Sequence, residues 1–212
     1  MLKEKIDTKL IQKSLNPQRT NAKNSHGYSF EDFIILAFGF TEEDGSPYRD
    51  HRLGGTSKWG QPFDVPQEVV ARNPIIPKAY KLPWSIKSVA KGSSIGLGTA
   101  RQQHDAWTKT GMVQVTAVYS KEKGKKILEH FSIKIIKPSS CYFGNLTKKL
   151  VNSLDPVSNG SSKDGSYDRN QFEQGVGRVN RSRSGVIGIR AMGRVKNLQA
   201  YIGYKDYFNL VA

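Results

Sequence analysis

Trp84-Ser85-Ile86-Lys87-Ser88-Val89, whose Ser85 follows Asp64 of Phe63-Asp64-Val65 after twenty intervening residues, is the stretch that decides how this chain is read. Its β-branched and aromatic members, and the Pro83 that suits only a first position, predict a short strand over Leu82–Val89. In a strand, residues i and i+2 share a face, so Ser85 and Lys87 point together. A second strand end is expected at Asp64, which puts one carboxylate opposite one hydroxyl and one ammonium group.

Outward from there, the pattern alternates between helices and strands. Leu2, Ile6, Leu10 and Ile11 fall near helical spacing and predict an amphipathic helix within Met1–Leu15, followed by a polar loop over Asn16–His26. Gly27–Phe38 reads as a helix with Ser29 as N-cap, acids in its first turn and Phe30, Phe33, Ile34 and Ala37 on one face. Glu31 lies near its start. Residues 39–62, rich in glycine and polar side chains, read as a long loop, and prolines at 66, 74, 77 and 83 punctuate the way to Ser85. Lys91–Gly98 reads as a flexible segment and Thr99–Trp107 as a helix capped by Thr99. Met112–Tyr119 and Ile127–Ile136, joined across the basic turn Lys121–Lys126, carry a hairpin signal. A short helix is expected around Leu146–Leu154, then a polar loop over Asp155–Asp168. In the last third, Val186–Ile189 and Gln199–Tyr204 read as two strands across a turn.

Composition narrows the partners. The formal charge is +15 over 212 residues, with a pI near 9.9. A basic excess of this size repels itself unless an acidic partner relieves it, and nucleic acid is the polyanion that fits. Hydrophobic residues make up 37%, enough for a buried core and too many for a disordered chain. No apolar run approaches the roughly 18 residues of a membrane span, and the N-terminus has no signal-peptide core. No basic amphipathic helix marks an anionic-membrane partner. The single cysteine, Cys141, cannot form an internal disulfide or a thiolate zinc site. A soluble, cytoplasmic protein is expected.

Two groups of basic residues stand out. Arg101-Gln102-Gln103-His104 would present, on one helix, the side chains that read guanine and adenine edges or clamp phosphates. Arg178, Arg181, Arg183, Arg190 and Arg194 are spaced among glycines, which let backbone approach phosphates while the guanidinium groups supply forked donors. No phosphate-binding P-loop, dinucleotide-binding glycine pattern or serine-hydrolase elbow is present.

The order of these elements, with Glu31, Asp64 and Ser85-Ile86-Lys87 on them, resembles the PD-(D/E)XK nuclease superfamily, above all the type II restriction endonucleases. The resemblance covers roughly residues 28–136. It implies an α/β (α+β) protein with an αβββαβ core, a mixed central sheet flanked by helices, and a basic β-rich region at about 155–212, all in a single nuclease domain over 1–212. It further implies a Mg²⁺-dependent, sequence-specific endonuclease cutting double-stranded DNA. Asp64 and the Ile86 backbone carbonyl would hold the metal, Lys87 would position or activate water, Ser85 would assist a ligand or water, and Glu31 would be an auxiliary acid.

Two departures stand out. Phe-Asp replaces the family's Pro-Asp, and Ser85 stands where the family carries its second acid, with Glu31 or Asp105 as candidate replacements. A homodimer on a palindromic site and a cognate DNA methyltransferase are the partners such an enzyme implies. The alternatives are a structure-selective, nicking or homing nuclease of the same core, or a DNA-binding protein without catalysis.

Overall fold

The computed structural model describes residues 6–17, 25–48, 63–154, 185–191 and 198–212. Its spine is the hairpin of β3 (Met112–Glu122) and β4 (Lys125–Ile136). The two-residue loop Lys123-Gly124 makes it possible, because both residues adopt positive φ (46° and 79°), as the tight hairpin turn with native strand twist requires. On the far side of β3, β1 (Trp84–Ala90) pairs in parallel, Ser85 opposite Gln114 and Lys87 opposite Thr116. The mixed sheet A therefore runs β1-β3-β4. Residues 112–119 of the central strand are buried without interruption, as expected of a strand covered on both faces.

Each face of sheet A has its own core. Trp84, Ile86, Val113, Val115, Ala117, Phe131 and Ile133 look toward α1 (Thr8–Ser14), α2 (Ser25–Ala37) and α3 (Gln67–Arg72), which contribute Ile11, Phe30, Ile34, Ile35, Val69 and Val70. On the other face, Val89, Met112 and Ile136 meet a second sheet. This sheet B is antiparallel, ordered β2-β6-β5 from Ile95–Thr99, Leu198–Ile202 and Ile187–Ala191. Its inner residues Leu97, Ile187, Ile189, Leu198, Ala200 and Ile202 complete the second core with Trp107 and with Tyr207 and Val211 of α6 (Tyr204–Val211).

The crossover from β1 to β3 passes through β2, α4 (Ala100–Asp105) and a π-helical turn over Ala106–Thr110. Gly111 ends that turn at φ 70°, where a Cβ would lie 2.7 Å from the Ile136 carbonyl oxygen, so only glycine fits between the turn and β4. After β4, α5 (Lys148–Leu154) lies beside α4. At the open edge of β4, α1 takes the place of a strand. Gln12 accepts from the Leu128 N–H at 2.7 Å, and Asn16 accepts from the Lys126 N–H at 2.8 Å and donates to its carbonyl at 2.7 Å. Amide side chains thus satisfy backbone groups that an exposed edge would offer to other chains.

The protein is therefore a mixed α+β molecule, with two three-stranded sheets among the described residues in place of one central sheet. Four local readings change with it. Asp64 is not on a strand: only Val65 bridges, to Trp84. Ile95–Thr99, rich in glycine and read as flexible, is strand β2, because pairing with β6 supplies the order its own sequence does not. The second helix begins at Ser25, which leaves Ser29 inside it and not at its cap. Tyr204–Val211 is a helix, α6, where only a strand end was expected. No helix among the described residues is long and apolar enough to cross a membrane.

Candidate active site

The site is built at the outer edge of β1. Pro66 stops the chain from extending the Val65 bridge, so two hydrogen bonds from Asp64 and Val65 N–H to the Trp84 carbonyl, at 2.9 and 3.0 Å, do the holding. The return bond, Trp84 N–H to the Val65 carbonyl, is 2.8 Å. This double grip turns the Asp64 side chain along the strand. Its Oδ2 accepts from the Ile86 N–H at 2.6 Å and from Lys87 Nζ at 3.3 Å. Because N–H and C=O of one strand residue face the same side, the Ile86 carbonyl also points to this outer edge. Asp64 is buried, while the Lys87 side chain keeps 21% of its surface exposed, so the pair opens to solvent on the lysine side.

Behind the pair lies a strip of buried polar side chains on one face of sheet A: Ser85, Gln114, Thr116 and Ser132, all under 6% exposed. Gln114 donates to the Ser85 carbonyl at 3.0 Å. Thr116 shares a hydrogen bond of 2.8 Å with the hydroxyl of Tyr207, which descends from α6. Burial pushes the Tyr207 phenol far above its usual range, and the neighbouring Asp64 charge pushes it further up, so it stays protonated. The sequence marks Tyr207, with Tyr201 and Tyr204, only as an aromatic that stacks or packs, and gives it no place at this site. Gln114 and Thr116 were legible as two polar residues at i, i+2 within an apolar strand, in step with Ser85 and Lys87; Tyr207, ninety residues further on, carried no such signal.

Glu31 stands half-exposed on α2, whose Phe30, Ile34 and Ile35 pack against the Trp84 and Ile86 face of sheet A. Three further candidates are engaged in packing. Asp105 joins α4 to α5 through Lys148 and bonds Lys109 at 3.3 Å. Burial pushes its carboxyl up, but the two lysines outweigh this and leave it below the usual range. It is thus committed as a counter-ion at the α4–α5 junction. Gln103 and His104 turn inward: Gln103 accepts from Trp107 Nε1 at 3.1 Å, and His104 Nε2 donates to the Leu146 carbonyl at 3.1 Å. Their buried positions correct the reading of four surface contacts on one helix, because α4 must cover the second core with that side. Arg101 and Gln102 alone of the four are half-exposed. Arg190 is on sheet B, and Arg178, Arg181, Arg183 and Arg194 lie outside the described residues.

His104 also sets a pH dependence. Burial pushes its imidazole below the usual range and Lys148 adds to this. The native state then holds the ring neutral where the unfolded chain, with a pKa of about 6.5, already takes up a proton. Stability is untouched well above that value and falls as pH drops below it. Chemical denaturation at pH 7 and pH 5 is expected to show this loss in the wild type and a smaller one in His104→Gln; equal losses would remove His104 as its source.

Among the described residues no three His, Cys, Asp or Glu side chains converge on a point where a metal ion could sit. The oxygen atoms borne by this edge are the Asp64 carboxylate and, by strand alternation, the Ile86 carbonyl, while the Ser85 hydroxyl belongs to the Lys87 face of β1. All are hard ligands of the kind Mg²⁺ takes, with water filling the rest of its shell. Comparison with family models, curated proteins and solved structures found no match for this chain.

Proposed function

We propose that the protein is a Mg²⁺-dependent endonuclease hydrolysing phosphodiester bonds in double-stranded DNA, of the type II restriction kind. The observation that carries this reading is the contact of one carboxylate, Asp64, with both the Ile86 N–H and the Lys87 ammonium at a strand edge. An ammonium beside the attacked phosphate offsets the charge that gathers on its oxygens and orients the incoming water. Asp64 keeps Lys87 aimed along the strand edge. Mg²⁺ bound by Asp64 and the Ile86 carbonyl would supply Lewis-acid activation and a more acidic water. The +15 charge supplies attraction for the duplex. Arg101 and Gln102 are the two half-exposed residues of the Arg101–His104 run on α4. The same reading implies a homodimer acting on a palindromic sequence, with a methyltransferase protecting the host.

A second reading has its own support. Asp64 Oδ2 is already engaged by two donors, and Ser85 supplies no charge, so the pair also suits a DNA-binding protein in which the ion pair only holds the strand edge. Incubation of supercoiled plasmid with the protein and Mg²⁺ separates the cases. Discrete fragments, lost on adding EDTA, support the restriction enzyme. Nicked circles support a nicking or structure-selective nuclease, and tight binding without cutting supports the binder.

A further inference from the structure

On the outer face of sheet B, three segments distant in sequence converge on one guanidinium group. Arg190 stands opposite Gln199 in the β5–β6 register, and Tyr201 is flanked by Gly188 on one side and Gly96 on the other. Arg190 Nε donates to Gln199 Oε1 at 2.9 Å and Nη1 donates to Ser94 Oγ at 3.2 Å. Its Cζ lies over the Tyr201 ring, 5.0 Å from the centroid. Gly96 belongs to the frame: a Cβ there would sit 2.6 Å from Gln199 Nε2, so any side chain would displace the amide that orients the arginine.

All three partners are neutral. No ion pair of Arg190 with an acidic side chain occurs among the described residues. Among the described residues no carboxylate offsets the group, and its orientation is already fixed, which lowers the entropy lost when an anion binds. Nη2 is engaged by none of the three. A half-exposed, preoriented and uncompensated guanidinium in a chain of charge +15 matches the planar oxygens of a phosphodiester.

We propose that Arg190, framed by Ser94, Gln199 and Tyr201, is a docking point for a backbone phosphate of nucleic acid, separate from the Asp64–Lys87 edge. It rests on the protein binding nucleic acid and not on its cutting it.

The test is fluorescence anisotropy of the full chain with a labelled DNA duplex in EDTA, over a series of KCl concentrations. Arg190→Gln is expected to lose about tenfold in affinity near 0.1 M salt and to lower the log–log salt slope by about 0.9, equally on two unrelated sequences. Arg190→Lys, which keeps the charge, should restore the slope but not all of the affinity. Ser94→Ala should weaken binding at unchanged slope. Circular dichroism melts establish that Arg190→Gln is folded. Wild-type slope and affinity in folded Arg190→Gln would overturn the docking point and leave the nuclease reading standing. Absence of salt-dependent duplex binding by the wild type would overturn both. A wild type that binds as expected but never cuts would remove only the nuclease.

Discussion

Asp64→Asn is expected to abolish plasmid cleavage, a fall of about 10³-fold or more, while leaving duplex affinity and folding largely intact. The substitution is nearly isosteric. An asparagine carbonyl still accepts from the Ile86 N–H now bonded at 2.6 Å, so the edge of β1 stays closed. What disappears is the charge, and with it both the hold on Lys87 at 3.3 Å and the Asp64 carboxylate as a metal ligand. Removing a single preorganised electrostatic partner of a reacting phosphate is worth about 10²–10³ in rate, and removing the metal's carboxylate adds to that.

Lys87→Ala should end cleavage too, but with a different cost. It leaves the buried Asp64 carboxylate without its ammonium partner. Breaking a fully buried pair costs about 3–5 kcal/mol, and the partial exposure of Lys87 brings the expectation down to about 2 kcal/mol. Cleavage assays and urea denaturation of the two variants therefore diverge: similar loss of activity, unequal loss of stability. If the pair serves only to hold the strand, the double variant Asp64→Asn/Lys87→Met keeps whatever cutting the wild type shows, and the catalytic assignment fails.

How much of this was legible beforehand depends on where the information sits along the chain. The β3–β4 hairpin was readable because its signal is local: a β-branched run, a basic turn and a second alternating run. Lys123-Gly124 takes the positive φ values where the turn was expected. The strand at Trp84 was readable for the same reason. The expectation that Ser85 and Lys87 share a face also holds, through their register with Gln114 and Thr116.

What escaped was non-local. Ile95-Gly96-Leu97-Gly98 has weak strand propensity, and only β6, a hundred residues later, makes it a strand. The burial of Gln103 and His104 follows from which side of α4 covers the second core, and that side is chosen by sheet B. The same reason hid Tyr207, whose place beside Asp64 depends on α6 crossing the polar strip of sheet A. Asp105 was a plausible replacement acid by type alone; Lys148, forty-three residues downstream, has already claimed it.

Trp84→Ala is expected to cost about 3–5 kcal/mol, the range for emptying a large aromatic site in a packed core. Its indole is fully buried, packed edge-on against Phe38 and Phe40 with ring centroids at 4.9 and 5.0 Å. Nε1 donates to the Tyr80 carbonyl at 3.1 Å, which ties β1 to the proline-rich segment before it. A domain whose total stability is about 5–15 kcal/mol loses a large share of it in this one change. The consequence reaches the site because the backbone of the same residue holds Asp64 and Val65 from both sides. As the indole's cavity relaxes, that grip loosens, and the Ile86 N–H loses its protection against hydrogen exchange before the centre of β3 does. Trp84→Phe keeps the edge-on contacts and forfeits the bond to Tyr80, a loss of about 1–2 kcal/mol. Urea denaturation and amide exchange on the two variants check both parts. A Trp84→Ala protein within about 1 kcal/mol of wild type, or one whose Ile86 amide stays as protected as β3, would show that the Asp64 edge does not hang on this side chain.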